Sequence, residues 1–288
     1  MVPAPSAEHP HQRLLLLPGM DGTDLLFPPL VAALPAVLPP GIQVQVVTYA
    51  DAADYEPLLQ RVLASVDDGP PCHVLGWSFS GPLAVRAAAA RPQQVLQVLL
   101  AASFVQAPWR TLPALRPCIQ APVFAGVRFL RRVPLWLSRA KDDPLRRAKA
   151  RLWREVSART LAARARAIAR VDARQELVAL VQPVLYLRAA DDRIVPPHNL
   201  EQVRSLRPAT AVAELPGGHF MLYTHPAASA AAIAAFVAAG GAMLGQAAPA
   251  QRRPDGPAAD SLHGGAALAH EACMRPLLPE MPLRGIGP

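Results

Sequence analysis

The chain has 288 residues, 52% of them apolar and 5% aromatic. That is enough to bury one large core or two smaller ones, and too apolar for a disordered protein. The three cysteines Cys72, Cys118 and Cys273 are odd in number and share no metal-ligand spacing, which argues against a disulfide framework or a zinc site. The net charge of +8 is local. Residues 110–174 hold many of the basic side chains against Asp142, Asp143, Glu155 and Asp172, and no nucleic-acid motif accompanies them.

The first ten residues lack a basic n-region, and the apolar run at 14–17 is too short for a signal core, so a cytoplasmic location is expected. Residues 13–17 read as a buried parallel strand, followed by the turn-forming run Pro18-Gly19-Met20-Asp21-Gly22-Thr23-Asp24. A short helix is expected over 30–38, kept short by Pro28, Pro29 and Pro35. A strand follows over 42–48, then a helix over 55–66 with Leu58, Leu59, Val62 and Leu63 on one face. Residues 72–75 read as a strand, Gly76 as a turn, and a helix starts near Phe79 and runs to about 90. Residues 95–101 are again an apolar strand. Strands alternating with helices at these intervals indicate an α/β fold with a doubly wound, mostly parallel sheet.

Between 107 and 176 strand signals stop. Arg-rich helical segments broken by Pro113, Pro117, Pro122, Pro134 and Pro144 take over, with Trp109, Trp136 and Trp153 among them. About seventy residues is several-fold longer than an ordinary crossover, so this stretch is expected to be a helical cap over the carboxyl edge of the sheet. The sheet resumes at 183–187, a helix is expected from Asn199 to Leu206, and the last strand covers 211–215. Residues 227–245 are uncharged and long enough to raise the question of a membrane span. They are mostly Ala and Gly with a Gly240-Gly241 break, so a helix on the sheet, ending near 239, is the better reading. The expected organisation is a core of 13–106 and 177–245, a cap of 107–176, and a disordered Pro-, Gly- and Ala-rich tail of 246–288.

Chemistry concentrates at strand ends, where open parallel sheets gather their reactive groups. Ser78 sits at the tip of the strand-to-helix turn Gly76-Trp77-Ser78-Phe79-Ser80, raised toward a helix N-terminus. The pattern alone also fits a tight turn whose serine merely caps a helix, so the rest of the chain decides. An aspartate at 191 or 192 follows the next strand, and His219 follows the last one, after Gly217-Gly218. A serine hydroxyl needs an imidazole to take its proton, and the imidazole needs a carboxylate to orient it. Asp192 is preferred over Asp191 because Arg193-Ile194-Val195-Pro196 closes the loop directly behind it. His73 lies in a strand, His198 in a surface loop and His225 near the last helix, so none competes with His219. The backbone N–H groups of Met20 and Phe79 are the expected oxyanion donors.

Leu17-Pro18-Gly19-Met20-Asp21-Gly22-Thr23, together with Gly76-Trp77-Ser78-Phe79-Ser80-Gly81-Pro82, resembles the α/β-hydrolase superfamily, in particular small bacterial serine hydrolases of esterase or lipase type. The resemblance covers residues 13–240. It implies the α/β-hydrolase fold, a catalytic triad, no cofactor or metal, and a cap that shapes an acyl pocket. Two departures stand out: Ser80 replaces the second motif glycine, and no His precedes Gly19. The expected activity is hydrolysis of a carboxylic ester or thioester through acyl-Ser78. An acyltransferase using the same three groups and a silent binding module are the alternatives. A serine nucleophile argues against dehalogenase and epoxide hydrolase chemistry, which uses aspartate there. The apolar residues Val123, Phe124, Val127, Phe129, Leu130, Leu135, Trp136 and Leu137 are expected to line the acyl pocket. The basic cap is a candidate docking surface for an acidic carrier protein or an anionic surface, or simply a solvated basic face.

Overall fold

The computed structural model describes residues 12–49, 52–132 and 143–246, with residues 127–132 and 241–246 described by backbone alone. The first strand, β1 (Gln12–Leu17), carries four consecutive fully buried leucines. Neighbouring side chains on a strand point to opposite faces. Leu15 and Leu17 therefore enter one core layer with Val74, Val98 and Leu100, while Leu14 and Leu16 enter the other with Leu75, Leu99 and Leu187. A strand buried on both faces is the signature of a parallel sheet covered by helices on each side.

The chain continues through α1 (Pro28–Ala33), β2 (Ile42–Val46), α2 (Tyr55–Asp67), β3 (Cys72–Trp77), α3 (Gly81–Ala90) and β4 (Val95–Ala101). The long segment that follows holds α4 (Ala121–Arg132), α5 (Pro144–Glu155), α6 (Ala158–Ile168) and α7 (Arg174–Ala179). Then come β5 (Val184–Ala189), α8 (His198–Leu206), β6 (Ala211–Leu215), α9 (Met221–Thr224) and α10 (Pro226–Gln246). The strands form one six-stranded sheet in the order β2-β1-β3-β4-β5-β6, and every pairing is parallel. After β1 the chain steps one way to β2, then back across to β3. The strand order therefore reverses between β1 and β3, and such a reversal opens a crevice at the carboxyl ends of the strands.

Several element boundaries differ from the sequence expectation, three of them with consequences for the site or the packing. β3 runs on to Trp77, so Gly76 lies inside the strand, in register with Leu17 and Leu100, instead of forming the turn. His198 begins α8 and is not a loop residue. The last helix continues through Gly240-Gly241 to Gln246, because the absent side chain of Gly240 lets it approach Gln97, whose Nε2 donates to the Phe236 carbonyl at 2.9 Å. This helix buries Ala230, Ile233 and Val237 in the second core layer, as expected of a helix on the sheet. Among the described residues no helix is long and apolar enough to cross a membrane. Gln246 closes α10, and the rest of the predicted tail lies outside the described residues.

Candidate active site

Ser78 stands at the carboxyl end of β3 with φ of 53°, a left-handed conformation that costs a non-glycine residue about 1–3 kcal/mol. The surroundings hold it there. The chain reverses so sharply through the 3-10 turn Ser78–Ser80 that a Cβ on Gly76 would sit 2.4 Å from the Ser80 carbonyl oxygen, so only glycine fits. Pro82 follows in the first turn of α3, where its missing N–H is harmless.

His219 follows β6 and Asp192 follows β5. The His219 ring lies 2.9 Å from Ser78 Oγ through Nε2 and 2.9 Å from Asp192 Oδ2 through Nδ1. An ionised carboxylate only accepts, so Nδ1 carries the proton and Nε2 offers a lone pair to the serine O–H. The His219 and Asp192 side chains are only 8% and 7% exposed. Asp192 Oδ1 accepts from the Ile194 and Val195 backbone N–H groups at 2.8 and 2.9 Å. Burial pushes this carboxyl upward, but the bonds from His219, Val195 and Ile194 outweigh it and hold Asp192 below the usual carboxylate range. The Asp191 side chain is exposed, and its backbone N–H serves the Gly217 carbonyl instead. Trp77 Nε1 donates to the His219 carbonyl at 3.2 Å, and the Phe220 ring packs edge-on against the imidazole at 5.5 Å.

The two expected oxyanion donors are aimed by bonds on the far side of their peptides. A trans peptide points its N–H opposite to its C=O. The Ser78 carbonyl accepts from Ser103 Oγ at 2.5 Å and from the Gly81 N–H, which turns the Phe79 N–H the other way. The Gly19 carbonyl accepts from the Gly22 N–H at 3.0 Å, which likewise orients the Met20 N–H. Ser80, the departure from the family pattern, is fully buried. Its Oγ donates to the Pro18 carbonyl and accepts from Tyr49 O–H at 2.6 Å, tying the β3 turn to the β1 loop.

Residues 8–233 match the model of the Alpha/beta hydrolase family. The chain belongs to this family. No curated protein matches it. Among solved structures, a hydrolase from Pseudomonas aeruginosa superposes with a TM-score of 0.63 at 20% identity, covering 81% of this chain and 91% of its own. An enol-lactonase from Burkholderia xenovorans gives 0.63 at 17% identity, with coverages of 82% and 94%. An esterase from Exiguobacterium antarcticum gives 0.62 at 15% identity, with coverages of 79% and 92%. At such identities the likeness is one of fold.

In this alpha/beta hydrolase a cavity of about 510 Å³ opens onto Ser78 and His219. Its walls are mostly apolar: Trp77 and Phe104 from the core, Leu112, and Leu152, Trp153 and Leu161 from α5 and α6. This differs from the expected lining. Val123 and Phe124 do not reach the cavity, and Val123 is 55% exposed, because α4 packs against α6. The side chains of Val127, Phe129, Leu130, Leu135, Trp136 and Leu137 lie outside the described residues. The segment between β4 and β5 does supply the wall, but from other helices.

Several residues at the site had no sequence signal. Ser103 is fully buried, and the left-handed Ala102 (φ 45°) bends the chain after β4 to bring it beneath Ser78. Tyr55 stacks on Phe79 at 4.7 Å and donates to the Phe79 carbonyl at 2.9 Å. Tyr186 O–H holds the Ser103 carbonyl at 2.6 Å. Only their strand-end or helix-face positions were readable; their partners lie 24 to 83 residues away.

Proposed function

We propose that this protein is a serine hydrolase that cleaves a carboxylic ester or thioester through an acyl-Ser78 intermediate. One observation carries the reading: the His219 ring spans Ser78 Oγ and Asp192 Oδ2 at 2.9 Å each. Ser78 Oγ attacks the acyl carbon while its proton passes to His219 Nε2. Asp192 stabilises the resulting imidazolium and keeps its orientation. The oxyanion accepts from the Met20 and Phe79 N–H groups. Collapse expels the alcohol or thiol, which takes the proton back from Nε2. Water then enters, is deprotonated by His219, and releases the acid.

The helices between β4 and β5 serve as a cap, and the acyl group occupies the cavity bounded by Leu112, Leu152, Trp153 and Leu161. These walls favour an aliphatic or aryl acyl chain. The test is a fluorophosphonate probe together with p-nitrophenyl esters of graded acyl length. The expected result is labelling and turnover by the wild type and neither by Ser78→Ala. A wild-type protein that takes no label and hydrolyses no ester overturns the reading in favour of a silent binding module.

A further inference from the structure

Arg164 lies on α6, in the Arg-rich segment, yet its side chain is fully buried. Its Nη1 donates to the Met20 carbonyl at 3.1 Å and the Asp21 carbonyl at 2.6 Å. Its Nε and Nη2 donate to the Ala52 carbonyl at 3.0 and 2.7 Å. With these bonds, four successive carbonyls of the β1 loop each have a donor. Pro18 accepts from Ser80, Gly19 from Gly22, and Met20 and Asp21 from Arg164. Gly22 leaves room for this guanidinium: at φ 71°, a Cβ there would sit 2.4 Å from Nη1.

We infer that Arg164 is a positioning residue that sets the aim of the Met20 N–H, so that the oxyanion site is complete only when α6 is seated on the β1 loop. The inference rests on the hydrolase reading above. The Gly22→Gly19 bond orients the Met20 N–H only while the turn from 19 to 22 keeps its shape. Two of the three peptides after that N–H are held by one planar fork reaching in from a helix more than 140 residues away in sequence. A guanidinium can hold divergent carbonyls at once, which a single ammonium matches only in part. A charge buried against carbonyl dipoles is also costly to leave half satisfied, so the fork resists displacement. Seating of the helix and readiness of the site thereby become one event.

The test compares wild type, Arg164→Lys and Arg164→Met in kcat and KM for a p-nitrophenyl ester, and in affinity for an alkylboronic acid. The tetrahedral boronate adduct on Ser78 places an oxygen where the oxyanion develops. Loss of one oxyanion donor lowers kcat by about 10²–10³, so Arg164→Met is expected to lose about 10²-fold in kcat, with KM changed by less than about 3-fold. Boronate affinity should fall in proportion to kcat, and Arg164→Lys should recover part of both. Unchanged kcat, or a loss of kcat with boronate affinity intact, overturns the inference. If both variants misfold, Arg164→Gln, which keeps an NH2 donor but drops the charge and the fork, must give the same signature. If the wild type neither turns over esters nor takes the fluorophosphonate, it is the hydrolase reading that has failed. Amide exchange at residues 20–23 then decides whether Arg164 orders the loop: it must rise in Arg164→Lys, and unchanged exchange sinks the assignment.

Discussion

Replacing Asp192 with asparagine exchanges one oxygen for an NH2 and little else, which makes it a direct probe of how the imidazole is set. In the native site both carboxylate oxygens are in use: Oδ1 by the Ile194 and Val195 N–H groups, Oδ2 by His219 Nδ1. An amide has only one acceptor oxygen. If that oxygen stays on the two backbone donors, the NH2 faces Nδ1, which must then accept. The ring proton moves to Nε2 and points at Ser78 Oγ, where a lone pair is needed. The alternative flip keeps the working tautomer but leaves two backbone N–H groups facing an NH2. The Ile194 N–H is exposed and the Val195 N–H part-buried, so losing the two bonds costs about one net hydrogen bond each, and the working arrangement lies about 1–3 kcal/mol above the idle one. At 1.36 kcal/mol per decade, and with the ion pair to the imidazolium also lost, kcat is expected to fall by about 10³–10⁴-fold. The assay is kcat on a p-nitrophenyl ester, with the melting temperature as a check on folding. Asp191→Asn is the matched control, because that side chain is exposed and outside the chain of bonds. Retention of activity within about tenfold by a folded Asp192→Asn, or an equal loss in Asp191→Asn, would refute the reasoning.

Three further outcomes follow from the same geometry. Ser103→Ala removes the 2.5 Å bond that holds the Ser78 carbonyl while the Gly81 N–H remains, so kcat should fall by about 5-fold, the equivalent of one net hydrogen bond of ~1 kcal/mol; steady-state kinetics with KM as the internal comparison reads this. Leu161 is buried in the cavity wall, and Leu161→Trp should shift preference toward shorter acyl chains, seen as a drop in kcat/KM for long p-nitrophenyl esters with short ones spared. His73 is buried in β3, and burial, opposed by a smaller pull from Gln97, pushes its imidazole down to about 4 from 6.5. The unfolded chain therefore takes up a proton below pH 6.5 that the folded one refuses until about pH 4. Stability should drop by about 3 kcal/mol across that window, and His73→Gln should flatten this part of a urea-unfolding pH series; an unaltered slope would show that other groups carry it.

The frame of the molecule was legible because its signals are local. β4 (Val95–Ala101) and β6 (Ala211–Leu215) match the expected residues, since each is a run suited to a strand bounded by turn formers. Ser78, Asp192 and His219 were readable for a related reason: each sits just beyond such a run, and a parallel sheet carries all those ends to one rim. The lining of the cavity was not. The apolar residues of α4 report that the helix packs, not what it packs against, and the cavity wall came from α5 and α6. Gly76 was placed in a turn, because its role inside the strand depends on the Ser80 backbone folding back over it, which composition cannot reveal.

Arg164 marks the boundary of what one chain can disclose about itself. Arg166 and Arg170 lie on the same stretch and belong to the same basic pattern, yet Arg170 is at the surface, paired with Asp54 at 2.8 Å, while Arg164 is fully buried against backbone carbonyls. No local feature separates the two. The distinction arises only once α6 lies on the β1 loop and Gly22 leaves a gap that a guanidinium fills. The two candidate donors share this dependence. The Phe79 N–H is aimed by Ser103 just beyond β4, and the Met20 N–H by a turn that Arg164 braces from α6. The proposed nucleophile, base and carboxylate are written at strand ends, whereas the proposed electrophilic half depends on contacts that exist only in the folded state. Perturbations of Ser103 and Arg164 should accordingly lower kcat without unmaking the Ser78–His219–Asp192 chain, a separation that an unchanged Nδ1–H proton resonance of His219 in the folded variants can read.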